Sequence, residues 1–180
     1  MKVLVVVDMQ NDFIDGSLGT PEAQAIVPNV KKKIDEAVAN GDLIIFTRDT
    51  HYSDYLSTQE GKNLPVEHCI KDTDGWQIRD GLVPDGYNFM MFWDKYTFGD
   101  DDLPEKLSDF MYYFVSDVDE IELVGLCTDI CVVSNALLMK AHYYEGYTIS
   151  VDATCCAGVT PETHEAALKT MEMCQINVKR

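Results

Sequence analysis

The segment Ile121-Glu122-Leu123-Val124-Gly125-Leu126-Cys127-Thr128-Asp129-Ile130-Cys131 joins a short apolar run to a stretch with helical periodicity. Ile121 to Gly125 reads as a buried strand. The helix follows from Thr128 or Asp129, either of which can cap its free N–H groups, and its apolar residues Ile130, Val133, Leu137, Ala141 and Tyr144 recur at helical spacing. Cys131 then falls in the first helical turn, where unpaired N–H groups and the positive end of the helix dipole favour a thiolate over a thiol. That makes Cys131 the candidate nucleophile. Its alternative is a cysteine that fills space in the core, as free cysteines commonly do.

Outward from this junction, strand-like runs alternate with helix-like stretches. Val3 to Val7 is a continuous β-branched run, typical of a strand covered on both faces, and it ends at Asp8. A helix from about Pro28 to Asn40 stops at Gly41, and Leu43 to Thr47 is the second strand. Residues 48–86 are polar and form a long loop, with a short helical turn near Trp76; loops of this length tend to be functional. Phe89 to Trp93 is the third strand, ending at Asp94-Lys95, and a helix covers about Leu103 to Tyr113. Beyond the central junction lie a fifth strand, Tyr147 to Val151, a helix from Thr160-Pro161 to about Met173, and a sixth strand, Gln175 to Val178. This alternation predicts an α/β fold with a doubly wound, six-stranded parallel sheet and helices on both faces.

At 180 residues the chain is expected to form a single domain spanning positions 1–180, burying about 70% of the surface its unfolded form exposes. No repeat, linker or low-complexity run interrupts it. The opening apolar run is too short for a signal peptide or a membrane span, so a cytoplasmic location is expected. The six cysteines then read as reduced thiols rather than a disulfide framework. A formal charge of −17 argues against nucleic acid and anionic membrane surfaces as partners.

Ligands of open α/β sheets bind outside the carboxyl ends of the strands. Asp8, Lys95 and Cys131 fall at three such ends. Each has a structural alternative: a turn cap, an exposed strand-end lysine, a packed thiol. Together they form a workable activated-nucleophile set, because the carboxylate can accept the thiol proton and the ammonium stabilises the thiolate. In the loop after the second strand, Asp49 and His51 stand two residues apart, His68 follows seventeen later, and Glu60 lies between. Such ligands suit a divalent transition metal, zinc first, with iron or manganese as alternatives. A surface hydrogen-bonded pair is the competing reading of Asp49 and His51. His142 and His164, on helices without partners in sequence, read as structural.

The order "VVVDMQNDF" with Asp8 and Phe13, Asp49-x-His51, "LPVEHC", Lys95 and "GLCTDICV" resembles the isochorismatase-like cysteine hydrolase superfamily, and within it the nicotinamidase branch. The resemblance covers nearly the whole chain. It implies a catalytic Asp8, Lys95 and Cys131, a cis Leu126-Cys127 peptide, and an oxyanion hole made by the N–H groups of Cys127 and Cys131. It also implies metal ligation by Asp49, His51 and His68, with Glu60 close to where some members place a fourth ligand. The activity implied is hydrolysis of a small amide through a thioester, as in nicotinamide plus water giving nicotinic acid plus ammonia, and the assembly implied is a homo-oligomer.

One departure bears on the substrate. Family members commonly place a Trp-Pro pair before the histidine matching His68, and that Trp faces the Phe matching Phe13 across the substrate ring. Here the pair is Leu64-Pro65. Trp76, Tyr55 and Phe98 are aromatic residues of nearby loops that could replace it. The alternatives are another small-amide or carbamoyl hydrolase, a vinyl-ether hydrolase acting on isochorismate, and a non-catalytic thiol or metal-binding module. Against the last, Cys127 and Cys131 have Cys-x-x-x-Cys spacing rather than the redox Cys-x-x-Cys.

Overall fold

The computed structural model describes residues 1–115, 117–143 and 145–180. Six strands form one parallel sheet: β1 (Lys2–Val7), β2 (Leu43–Asp49), β3 (Met90–Lys95), β4 (Glu120–Leu126), β5 (Thr148–Ala157) and β6 (Asn177–Lys179), in the spatial order β3-β2-β1-β4-β5-β6. The chain winds outward through β2 and β3 on one side of β1, then returns to the centre and winds outward through β5 and β6. The order therefore reverses between β1 and β4, which pair from Lys2↔Glu120 to Val7↔Gly125. That is where such sheets open a crevice.

Alternation along each strand divides the core. Val3, Val5 and Val7 of β1 join Ile121 and Leu123 beneath helices α4 (Asp102–Phe114), α5 (Val133–His142) and α6 (Pro161–Met173). Leu4 and Val6 face the opposite way, against Ala23, Ile26, Val30 and Ile34 of α2 (Pro21–Asn40). Burial on both sides is why the strands read as mostly apolar runs, unbroken from Val3 to Val7. At Gly125, φ is +117° and an added Cβ would stand 2.1 Å from the Val7 carbonyl oxygen, so only glycine permits the close approach of β4 to β1. Among the described residues no helix is long and apolar enough to cross a membrane.

Several local expectations change. The helix expected from Pro28 begins at Pro21, where Thr20 accepts the Ala23 N–H at 3.0 Å and proline occupies the first turn. Pro28 lies inside the helix, whose buried face continues past it and outweighs the missing hydrogen bond. The long loop has its helical pieces at a 3₁₀ turn, Tyr55–Ser57, and at α3, Gln59–Asn63, following α1 (Asn11–Ile14) in chain order, rather than near Trp76.

The central helix is preceded by a π turn, Thr128–Val132, which neither Thr128 nor Asp129 caps. Thr128 Oγ1 instead lies 2.8 Å from His164 Nδ1, while the Asp129 carboxylate accepts the Val159 N–H at 3.1 Å. The extra residue in that turn rotates the face that follows. Val132, Ala136, Met139 and Tyr143 are the buried stripe, Ile130, Val133 and Leu137 are half-buried, and Ala141 is exposed. Tyr144 lies outside the described residues.

Candidate active site

Asp8 follows β1 with a left-handed backbone, φ +46°, and is fully buried. Thr47 of β2 fixes it: the Thr47 hydroxyl donates to Asp8 Oδ1 at 2.7 Å and accepts the Asp8 N–H at 3.2 Å. Lys95, the last residue of β3, is equally buried and reaches past the end of β2. Its Nζ stands 2.7 Å from Asp8 Oδ2 and 3.3 Å from Asp49 Oδ1, and donates to the Thr97 carbonyl at 3.2 Å and to Cys131 Sγ at 3.5 Å. The contact between Asp8 Oδ2 and Lys95 is a fully buried ion pair.

Burial pushes the Asp8 carboxyl up against the opposing pull of Lys95. Burial disfavours the Lys95 ammonium, but the carboxylates of Asp8 and Asp49 outweigh that cost and hold it charged. Burial also pushes the Cys131 thiol well above its ordinary value, with Lys95 opposing and Asp8 and Asp49 adding to the rise. This corrects the expectation from helix position. Desolvation outweighs the pull of the cation and favours the thiol over the thiolate.

Asp49, His51, Glu60 and His68 offer one ligand atom each within 4.8 Å of one another. His51 Nε2 is 3.0 Å from Asp49 Oδ2 and 3.7 Å from Glu60 Oε1, and His68 Nε2 is 3.6 Å from both. Four N/O ligands 2.0–2.1 Å from a tetrahedral ion stand about 3.3 Å apart, so this donor set fits a transition metal. His68 Nδ1 is 2.8 Å from the Val66 carbonyl, which as acceptor leaves Nε2 free to face the acids. Burial lowers the affinity of His68 for a proton, yet Asp49 and Glu60 raise its pKa to about 10.

The Leu126-Cys127 peptide is cis. The Cys127 carbonyl accepts N–H groups of Ile130 at 3.1 Å and Val132 at 3.0 Å, which shapes the turn carrying Cys131. Asn135, fully buried one helical turn later, donates to the Cys131 carbonyl at 2.8 Å and to the Phe98 carbonyl at 3.1 Å. It ties the cysteine turn to the loop after β3. Asn135, Thr47 and Gln10 are supports that the sequence reading missed; the signal available was a polar residue at a position whose neighbours in the pattern are buried.

A cavity of about 680 Å³ opens beside these groups, lined by His51, Glu60, Leu64, Tyr96, Phe98 and Ile130 among others. Of the aromatic replacements considered for the ring partner, Tyr55 is buried edge-on to both histidines, and its hydroxyl donates to the Leu64 carbonyl at 2.9 Å. Trp76 is buried too, donating to Thr50 Oγ1 at 2.8 Å beneath the Arg48 guanidinium. Only Phe98 of the three lines the cavity. Phe13 packs on the core with its ring centroid 5.6 Å from that of His68, and is not among the side chains lining the cavity.

Residues 2–179 match the Isochorismatase domain. The chain belongs to the isochorismatase family. Within that family it is 28% identical to a nicotinamidase of Saccharomyces cerevisiae, with 99% of each chain covered. Its structure is similar to that of a pyrazinamidase of Pyrococcus horikoshii in complex with zinc, at a TM-score of 0.80 and 29% identity, covering 99% of this chain and 98% of that one. It is also similar to an N-carbamoylsarcosine amidase of Thermoplasma acidophilum, with a TM-score of 0.78, 28% identity, and 99% and 95% coverage. The two solved structures share the fold in which β1 leads into Asp8 and β4 into the turn that carries Cys131 here.

Proposed function

We propose that this protein is a hydrolase of non-peptide carbon–nitrogen bonds, a nicotinamidase-like amidase working through Cys131. One observation carries the reading: a buried carboxylate, an ammonium and a thiol from three strand ends meet beside a four-residue metal-type donor set. Similarity to amidases acting on compact amides supports it.

Asp8 takes the proton from Cys131 as the sulfur attacks the amide carbonyl, so thiolate forms only with substrate in place. Lys95 offsets the negative charge passing between the two groups. The N–H groups of Cys127 and Cys131 hold the oxyanion; one such donor is worth about 3–4 kcal/mol of transition-state stabilisation. The carbon–nitrogen bond breaks with its electron pair going to nitrogen, and protonated Asp8 supplies the proton that makes ammonia. Water, deprotonated by the same carboxylate, then cleaves the thioester to the acid and returns the thiol. A divalent transition metal held by Asp49, His51, Glu60 and His68 would supply a Lewis-acidic anchor for a substrate ring nitrogen.

The test is ammonia release from nicotinamide by metal-loaded protein, with Cys131→Ala as the blank. Release by the parent protein alone is expected. Silence on every amide, with turnover of isochorismate, would move the protein to vinyl-ether hydrolysis.

A further inference from the structure

The cavity beside the candidate site has a definite chemistry. Leu64, Phe98 and Tyr96 project into it at 38%, 47% and 56% exposure, and half-buried Ile130 adjoins Cys131. Thr58, Gln59 and Asn63 give it a neutral polar lip. Among the described residues that line it there is no lysine or arginine, and its acid, Glu60, belongs to the metal-type donor set. The nearby Lys95 ammonium already faces the carboxylates of Asp8 and Asp49. A divalent ion in the metal-type donor set would be balanced by the carboxylates of Asp49 and Glu60, so a further carboxylate drawn into this space would give up part of its hydration without meeting an uncompensated cation, which is costly.

Size points the same way. A volume of about 680 Å³ lies within the range that accommodates drug-sized ligands, and one pyridine ring with its carboxamide fills only a fraction of it. Leu64 and Phe98 both line that space, and each is partly exposed to it.

We infer that this cavity selects uncharged primary carboxamides whose acyl side carries an apolar substituent beyond a single ring, with Leu64, Phe98 and Ile130 as the specificity-determining side chains. The inference rests on the amidase reading above and goes further, to the substrate class. It sets acidic amides and dicarboxylates apart from the preferred substrates.

The experiment compares kcat/KM of the metal-loaded protein for nicotinamide, 5-phenylnicotinamide, 5-benzylnicotinamide and 5-carboxynicotinamide, which share one carboxamide and one ring nitrogen. Covering about 60 Å² more apolar surface corresponds to roughly tenfold. At least one apolar-extended amide is therefore expected to exceed nicotinamide about tenfold, and the carboxylate to fall below it. Leu64→Trp and, independently, Phe98→Ala are each expected to shift the ratio of extended to parent kcat/KM toward nicotinamide; a loss of folding would lower both substrates together and leave the ratio unmoved. Ammonia from nicotinamide with no gain on extension overturns the inference and leaves the amidase reading standing. No ammonia from any of the four overturns both.

Discussion

Gln10 holds Asp49 by both sides of its peptide: Gln10 Oε1 accepts the Asp49 N–H at 2.7 Å, and Nε2 donates to the Asp49 carbonyl at 2.8 Å. The second Nε2 hydrogen reaches the Trp76 carbonyl at 2.9 Å, so the whole amide is used in a fully buried position. The segment after β1 thus fixes a candidate metal ligand at the end of β2 and the loop that returns beneath it.

Gln10→Leu keeps the volume and removes these bonds. Leaving a buried backbone group unpaired costs about 1–3 kcal/mol, and loosening a ligand's support typically weakens metal binding 10- to 100-fold. Urea denaturation of metal-free protein and competition with a chromophoric chelator measure the two effects separately. Metal affinity that stays at the parent value would show that Asp49 is held without Gln10.

Cys131→Ala is expected to abolish ammonia release in a protein that still unfolds cooperatively, because the variant lacks the nucleophilic sulfur that lies against both Asp8 and Lys95. Cys127→Ala should retain much of the activity, since position 127 is assigned its backbone N–H and not its thiol. Steady-state rates on nicotinamide together with thermal unfolding decide it. Equal loss in the two variants at unchanged stability would remove Cys131 from the nucleophile's role.

The strands were legible because burial on both faces keeps most sheet positions apolar, so Val3 to Val7 announces itself, and so does Ile121 to Gly125 despite Glu122, which is buried against Lys33 and Lys179. The rim residues followed, since parallel strands put every carboxyl end on one edge. What stayed hidden depends on contacts distant in sequence. Pro28 looks like a helix start until the apolar face on both sides of it is known to be covered. The face of α5 turned on one extra residue in the π turn, which no periodicity announces. Gln10, Thr47 and Asn135 are polar residues whose partners lie on other elements, up to 66 residues away for Gln10. The protonation of Cys131 depended on how deep the site lies, which the helix-dipole argument leaves out.

Protein prepared with zinc available should carry about one divalent ion per chain, the number that one four-ligand site of this kind takes. His51→Ala removes the ligand atom that stands nearest Asp49 Oδ2 and should lose the ion, as read by elemental analysis after gel filtration. The fold should persist, because His51 packs edge-on to Tyr55 and His68 at the sheet's rim rather than within its core. Protein that keeps full activity after exhaustive chelation would refute a working role for the ion.

Lys95→Met tests the electrostatics of the thiol. Lys95 is the cation that opposes the rise of the Cys131 pKa, whereas burial and the carboxylates of Asp8 and Asp49 drive that rise. Removing it takes away the lowering influence only, so the pKa climbs further and less thiolate exists at any given pH. The rate of Cys131 alkylation by iodoacetamide, followed on the peptide by mass spectrometry, should reach its half-maximum at a higher pH in the variant. Exposed Cys174 serves as the internal reference and should react alike in both proteins. Breaking a buried ion pair from one side typically costs about 3–5 kcal/mol, so the comparison is made well below the unfolding transition of the variant. An identical alkylation profile in a folded Lys95→Met protein would mean that the 3.5 Å contact between Nζ and Sγ does not tune the nucleophile.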